Sequence, residues 1–261
     1  MAERVLVERN PTRHLATVTL NRPERLNALD LAGWQQLEET FNALAADETL
    51  RCVVLRGAGD RAFCAGADIA EFETERADME QAKSYGAREL AGMRAVAACR
   101  HPTVAAIRGA CVGGGLDLAA CCDLRVCSGD SRFGIPVNRL GLTMSYGELR
   151  PFLDLVGPAV AADVLLTGEV FDADRALRLG LVSRVVESHE LDATVADVVG
   201  RIVTAAPLVN RWHKKFIRRL LDPAPLTDDE LAEGYAAFDT RDYRRGYRAF
   251  VLKEKPRFVG D

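Results

Sequence analysis

Gly109-Ala-Cys-Val-Gly-Gly-Gly-Leu-Asp-Leu-Ala-Ala-Cys-Cys-Asp123 is the stretch that decides the fold. The apolar run 104–107 (Val-Ala-Ala-Ile) ends just before it at Arg108-Gly109, three glycines follow at 113–115, and an apolar helix is predicted over 115–122. Glycine lets the backbone approach a ligand closely and leaves its N–H groups exposed. A helix N-terminus at the same point adds unpaired donors and a partial positive charge. Strand, glycine turn and helix start together suit a site for a negatively charged oxygen, where one such donor is worth roughly 3 kcal/mol. A tight strand-to-helix corner also accounts for the glycines. A phosphate loop does not, because neither G-x-G-x-x-G nor G-x-x-x-x-G-K-[ST] is present.

The same arrangement occurs once upstream. The run CVVLRG (52–57) is a second buried strand ending in Arg-Gly, and it leads into Asp60-Arg-Ala-Phe-Cys-Ala-Gly-Ala-Asp-Ile69. Two equivalent turns after two equivalent strands are expected to place two backbone donors side by side, the alternative being a surface turn with Asp68 as a helix cap. The pairing suggests a repeated strand–turn–helix unit stacked in one core.

Around these units, 5–7 and 14–20 read as strands joined by the Asn10-Pro11 turn. Asp30 caps a helix whose Leu31, Trp34, Leu37, Phe41 and Leu44 recur at helical spacing, and a long helix is predicted over 79–99. Strands are predicted at 124–127 and 182–186. Past about residue 192 strands disappear, and 192–204, 207–221, 227–238 and 241–253 read as helices. The reading is an α/β core over 1–191 and a helical region over 192–261. Phe216, Tyr235, Phe238 and Phe250 in that region have no core of their own, so they are expected against the main core or a second subunit.

The bulk composition narrows the function. A chain of 261 residues with 48% hydrophobic and 28% charged residues is an ordinary globular mixture. A net charge of −4 argues against nucleic acid as partner. No apolar stretch reaches membrane-spanning length, and MAERVLVERN lacks the apolar core of a signal peptide. Seven cysteines, most in apolar runs, read as reduced core residues of a cytoplasmic protein. The four histidines show no ligand spacing, so no metal is expected. The basic cluster Lys214, Lys215, Arg218, Arg219 reads as a solvated helix face.

Taken together, Asn21-Arg-Pro-Glu-Arg-Leu-Asn-Ala-Leu29, Phe63-Cys-Ala-Gly-Ala-Asp-Ile69, Gly113-Gly-Gly-Leu-Asp-Leu118, Leu165-Leu-Thr-Gly168, Ala176-Leu-Arg-Leu-Gly-Leu-Val182 and the ending from Ala249 to Phe258 resemble the enoyl-CoA hydratase/isomerase (crotonase) superfamily over nearly the whole chain. The resemblance implies a spiral of stacked ββα units with a helical C-terminal trimerisation region, and trimers that pair into hexamers. It implies an acyl-CoA thioester as substrate, with coenzyme A entering as part of it and no separate cofactor. By that resemblance Ala67 and Gly114 supply the oxyanion-hole amides, and Arg25, Leu26 and Ala28 lie on a loop that contacts coenzyme A. Asp68, Ile69 and Ala70 lie along its pantetheine and nucleotide. Phe250 and Lys253 lie on a C-terminal helix that contributes to coenzyme A binding, sometimes across a subunit interface.

The match departs from the family at the acids. Typical hydratases use two glutamates for proton transfer. The first position is Asp117, three residues after Gly114 on nearly the same helix face, where it serves as base or merely complements the helix dipole. The second is Val137, which cannot carry a proton. A further acid of dienoyl-CoA isomerases falls on Ser145. In the segment 142–149, Tyr146 or Glu148 is a candidate to enter the pocket, against a plain reading in which Ser145 and Glu148 form a capping box. Glu71 is another candidate acid or a solvated helix residue. The expected function is therefore acyl-CoA chemistry through a thioester enolate, hydratase- or isomerase-like. Decarboxylation of a malonyl-type ester and silent acyl-CoA binding are the alternatives.

Overall fold

The computed structural model describes residues 3–261. Its N-terminal hairpin pairs β1 (Val5–Asn10) with β2 (Leu15–Leu20) antiparallel, Val5 opposite Leu20 and Asn10 opposite Leu15. Between them Asn10 accepts the Arg13 N–H at 3.2 Å and Pro11 opens a single 3-10 turn, which fixes the reversal. Helix α1 (Leu31–Ala46) starts where Asp30 accepts the Gly33 N–H at 2.8 Å, and it buries Trp34, Leu37, Phe41 and Leu44.

Three ββα units follow. The first is β3 (Cys52–Gly57), β4 (Ala62–Cys64) and, after the short α2 (Phe72–Glu75), the long α3 (Met79–Ala98). The second is β5 (Thr103–Ile107), β6 (Ala110–Val112) and α4 (Gly114–Cys121). The third is β7 (Leu124–Ser128), β8 (Arg132–Gly134) and α5 (Tyr146–Thr167). Each unit sends its longer strand into one sheet and its three-residue strand into another. With β9 (Phe171–Asp172), α6 (Ala173–Arg178) and β10 (Arg184–Val186) completing them, the sheets run β1-β2-β3-β5-β7-β10 and β4-β6-β8-β9. The stacked strands β3, β5 and β7 are parallel, as are β4, β6 and β8. The two units read from the sequence are thus two of three. The third escaped notice because its turn, Gly129 to Ser131, has no glycine-rich continuation into a helix.

The six-stranded sheet is covered on both faces, which is why its central strands are apolar throughout rather than alternating. Val53 and Leu55 of β3 join the main core with Trp34, Phe41, Phe63 and Phe133. Cys52 and Val54 point the other way and pack with Val104 and Val126 against α7 (Leu191–Thr204) through Leu191, Val195, Val198 and Val199. Each such side chain contributes about 1.5–3 kcal/mol on burial. The first helix of the 192–261 region is therefore a layer of the α/β core. All seven cysteines are buried and unpaired. Burial pushes thiols such as Cys52 and Cys64 up to about 12, so they stay protonated and inert.

Helices α8 (Pro207–Arg219), α9 (Asp228–Glu233) and α10 (Arg241–Leu252) close the chain. The solvated-face reading of the 214–219 cluster is corrected at Lys214, which is 8% exposed. Its ammonium lies 2.7 Å from Asp123 and donates to the His101 carbonyl at 2.9 Å, and Arg218 reaches the same Asp123 at 3.4 Å. This ion pair pins α8 to the start of β7. Tyr235, Phe238, Phe250, Val251 and Leu252 remain exposed on the terminal segments. Among the described residues no helix is long and apolar enough to cross a membrane.

Candidate active site

The loop after β4 and the start of α4 meet at the mouth of a 370 Å³ cavity. Leu29 forms an isolated parallel bridge with Ala67, donating its N–H to the Gly66 carbonyl at 2.9 Å and accepting the Asp68 N–H at 2.9 Å. Strand geometry then turns the Ala67 N–H to the opposite side, toward the cavity. Gly114 is the first residue of α4, so its N–H has no acceptor within the helix. Among the described residues neither amide donates to a backbone acceptor outside the regular elements. Ala67 and Gly114 both line the cavity.

The two loops touch. Gly66 has φ +94°, and a methyl group on it would lie 2.9 Å from the Gly114 nitrogen. A methyl group on Gly114 would lie 3.7 Å from the Ala67 nitrogen. One on Gly115 would strike the Cys64 carbonyl oxygen at 2.1 Å. The glycines are there because backbone passes against backbone, and the result is two N–H groups opening on one space. Such a pair suits a single oxygen carrying negative charge.

The segment 21–29 holds the first loop in place. Asn27, in the left-handed region at φ 58°, accepts the Arg22 N–H and donates to the Ala58 and Ala62 carbonyls at 3.0 and 2.7 Å. Leu26 accepts the Ala65 N–H at 3.0 Å. Arg22 bonds Asp68 at 2.8 Å and the Ala28 carbonyl at 3.0 Å, and lies 3.4 Å from Asp30. Burial alone would raise the Asp68 carboxyl, but the Ala70 N–H and the Arg22 guanidinium outweigh it and hold the group below its usual range. Asn27 and Arg22 were not singled out from the sequence. The available signal was the Asn-Arg-Pro turn at 21–23 with a second asparagine at Asn27, residue types that favour tight reversals.

The acids lie on the other wall. Asp117 is 3% exposed, lines the cavity, and its Oδ1 has no hydrogen-bond partner. Burial first, and then the charges of Glu89 and Glu148, push it well above the ordinary carboxylate range. Glu89 of α3 is also 3% exposed, with Oε2 unpartnered and Arg76 no closer than 3.9 Å. Its Oε1 lies 3.0 Å from where a methyl group on Gly114 would sit, beside the paired amides. Burial, reinforced by the neighbouring Glu148 carboxyl and opposed by Arg76, lifts Glu89 to about 8. Glu148 completes the capping box with Ser145, its Oε2 accepting the Ser145 N–H at 2.6 Å, and it also lines the cavity. The cap and the pocket, posed as alternatives from the sequence, hold together.

The other sequence-derived positions divide. Ile69 and Val137 line the cavity. Asp68 is buried in its ion pair, while Arg25, Leu26, Ala28 and Ala70 sit on the flanking loops without lining the cavity. Tyr146 does not enter the pocket: it is 96% exposed, because as first residue of α5 it projects away from the face that carries Glu148. Glu71 is corrected too, since it accepts the Leu31 N–H at 3.0 Å and serves α1 rather than the cavity. Phe250, 85% exposed, and Lys253 stand outside this cavity on the last helix and its cap. Glu89 was missed altogether. Its signal was a glutamate on the apolar stripe Tyr85, Met93, Val96 of a helix.

Known proteins share this fold. Residues 11–261 match the family described as Enoyl-CoA hydratase/isomerase. The chain is 34% identical over 263 residues to a crotonyl-CoA hydratase of Syntrophomonas wolfei, covering 98% of each. It is 35% identical over 253 residues to an (E)-benzylidenesuccinyl-CoA hydratase of Thauera aromatica, covering 95% of this chain and 96% of that one. The crystal structure of an enoyl-CoA hydratase/carnithine racemase from Magnetospirillum magneticum superposes with a TM-score of 0.97 at 47% identity, over 100% of this chain and 97% of that one. The chain belongs to the enoyl-CoA hydratase/isomerase (crotonase) family and is an acyl-CoA-processing enzyme of that family.

Proposed function

We propose that the protein adds water reversibly across the 2,3 double bond of a 2-enoyl-CoA, through a thioester enolate whose oxygen is held by the Ala67 and Gly114 N–H groups. The observation that carries this reading is the convergence of those two amides on a cavity walled by three carboxyl groups. Donors already in place stabilise the enolate without reorganising, at about 3–4 kcal/mol for each. The similarity to hydratases from Syntrophomonas wolfei and Thauera aromatica favours water as the second reactant. Asp117, buried on the cavity wall with a free Oδ1, orients the incoming water from the α4 side.

Coenzyme A is part of the substrate and no other cofactor is required for this chemistry. The loops around Arg25, Leu26, Ala28, Ala70 and Ile69 lie at the mouth of the cavity and are the surface along which its pantetheine would run. The exposed apolar residues Tyr235, Phe238, Phe250 and Val251 suit burial in a homotrimer or homohexamer. The composition remains that of a cytoplasmic enzyme.

The test is turnover of crotonyl-CoA and longer 2-enoyl-CoA esters, followed by loss of the conjugated thioester absorbance. Asp117→Ala is expected to lower kcat by about 10²-fold or more while leaving CoA-ester affinity nearly unchanged. Binding without product from any enoyl ester would refute hydration and favour a silent binding protein. Carbon dioxide release from a malonyl-type ester would favour decarboxylation.

A further inference from the structure

We infer that Glu89 is a catalytic residue, the acid that protonates Cα, and that Glu148, which lines the same cavity, is its proton partner. This rests on the hydration reading above. Nothing in the glycine motifs or in the position of Asp117 calls for a second and third carboxyl group here, yet the fold brings them from two separate helices, α3 and α5, to one cavity.

The geometry of Glu89 is not that of a structural acid. It is almost wholly buried, its Oε2 accepts no hydrogen bond, and the nearest cation, Arg76, stands off at 3.9 Å. The Arg76 guanidinium is instead stacked over Phe72 and Tyr85, at 4.9 and 4.7 Å from the ring centroids. An unpaired buried carboxyl costs several kcal/mol unless it is neutral, and folds remove such groups where function does not require them. Glu89 faces the cavity, and its Oε1 is next to Gly114, one of the two amides that would hold the thioester oxygen. A carboxyl beside the oxyanion donors is beside Cα, the atom bonded to the thioester carbon. Glu148 lines the same cavity and its carboxyl raises Glu89, while its Oε2 is tied to the Ser145 N–H, so its position is fixed by the cap of α5. Val137, which lines the same cavity, supplies no proton.

The cycle closes without an outside acid or base. Water oxygen bonds to Cβ and its proton passes to Glu148. The π electrons of the double bond shift toward the thioester, whose oxygen takes the negative charge between Ala67 and Gly114. As the enolate collapses, Glu89 gives its proton to Cα. Glu148 then returns a proton to Glu89 by way of a solvent water in the cavity that both line. One water is consumed, both carboxyls regain their starting states, and Asp117 exchanges no proton. Burial keeps Glu89 protonated up to about 8, as a donor must be.

The experiment compares the parent protein, Glu89→Gln and Glu89→Asp, with crotonyl-CoA as substrate and acetoacetyl-CoA as the enolate-forming probe. Glu89→Gln is expected to lose about 100-fold or more in kcat. It is expected to keep its affinity for acetoacetyl-CoA and its cooperative unfolding. The fall in kcat as pH rises through about 8 is expected in the parent and not in the residual activity of Glu89→Gln. Glu89→Asp is expected to recover part of the rate together with the pH dependence. Parental kcat and pH profile in Glu89→Gln, with the parent active, would overturn the role of Glu89 and leave the hydration reading standing. A parent that binds acetoacetyl-CoA but hydrates no enoyl ester would overturn both.

Discussion

Two clusters of buried acids lie a short distance apart in this chain, and they are built on opposite principles. In the first, Asp30 and Asp68 are matched by Arg22 and Arg4 at 2.8–3.4 Å, and the leftover oxygens accept the backbone N–H groups of Gly33 and Ala70. In the second, Asp117 and Glu89 each keep an unpartnered oxygen, and the Arg76 guanidinium, 3.9 Å from Glu89, is occupied with aromatic rings. The first cluster holds the loop 65–68 in position against 21–29. The second gains nothing in stability from its charges and stands open to the cavity. Paired carboxyls here belong to architecture, and unpaired ones belong to chemistry.

The comparison can be broken most forcefully from the paired side. Arg22→Leu would leave Asp30 and Asp68 buried without their common partner, at a cost of about 3–5 kcal/mol. Denaturant unfolding measures it, and a loss close to zero would show that the network is not what secures the oxyanion loop. Activity should fall as well, because the Ala67 amide is carried by that loop.

The unpaired side should respond in the opposite sense. Glu89 titrates near 4.5 when unfolded and near 8 when folded, so between those values the folded state holds one proton more. Stability therefore declines as pH rises across that window, by about 1.4 kcal/mol per unit for this group. Glu89→Gln removes the penalty. Its melting temperature relative to the parent is expected to rise steadily from about pH 5 to about pH 8. A constant offset would mean that the carboxyl is already ionised and satisfied in the folded protein.

The same contrast explains what could be read from the sequence. The long strands, the helices α1, α3 and α7, and the glycine turns were legible because each is encoded locally, in apolar periodicity or in residues that tolerate close backbone approach. The helices predicted over 192–204, 207–221 and 241–253 lie within a few residues of α7, α8 and α10. The strands β4, β6 and β8 were not legible, since three residues are too few to show a period. The acid wall was half legible. Asp117 follows the glycine run directly, whereas Glu89 precedes it by 24 residues and becomes buried only when α3 packs beside α4. Lys214 was misread for the same reason: a basic helix face gives no local sign that Asp123 waits opposite it.

The claim beneath all of this is that two peptide nitrogens share one oxygen, and a crystal structure with bound acetoacetyl-CoA tests it most directly. The account predicts the thioester oxygen at about 2.7–3.1 Å from both the Ala67 and Gly114 nitrogens, with Glu89 beside Cα. A thioester oxygen bound elsewhere, or the Glu89 carboxyl occupying the space between the two amides with the ester displaced, would contradict it.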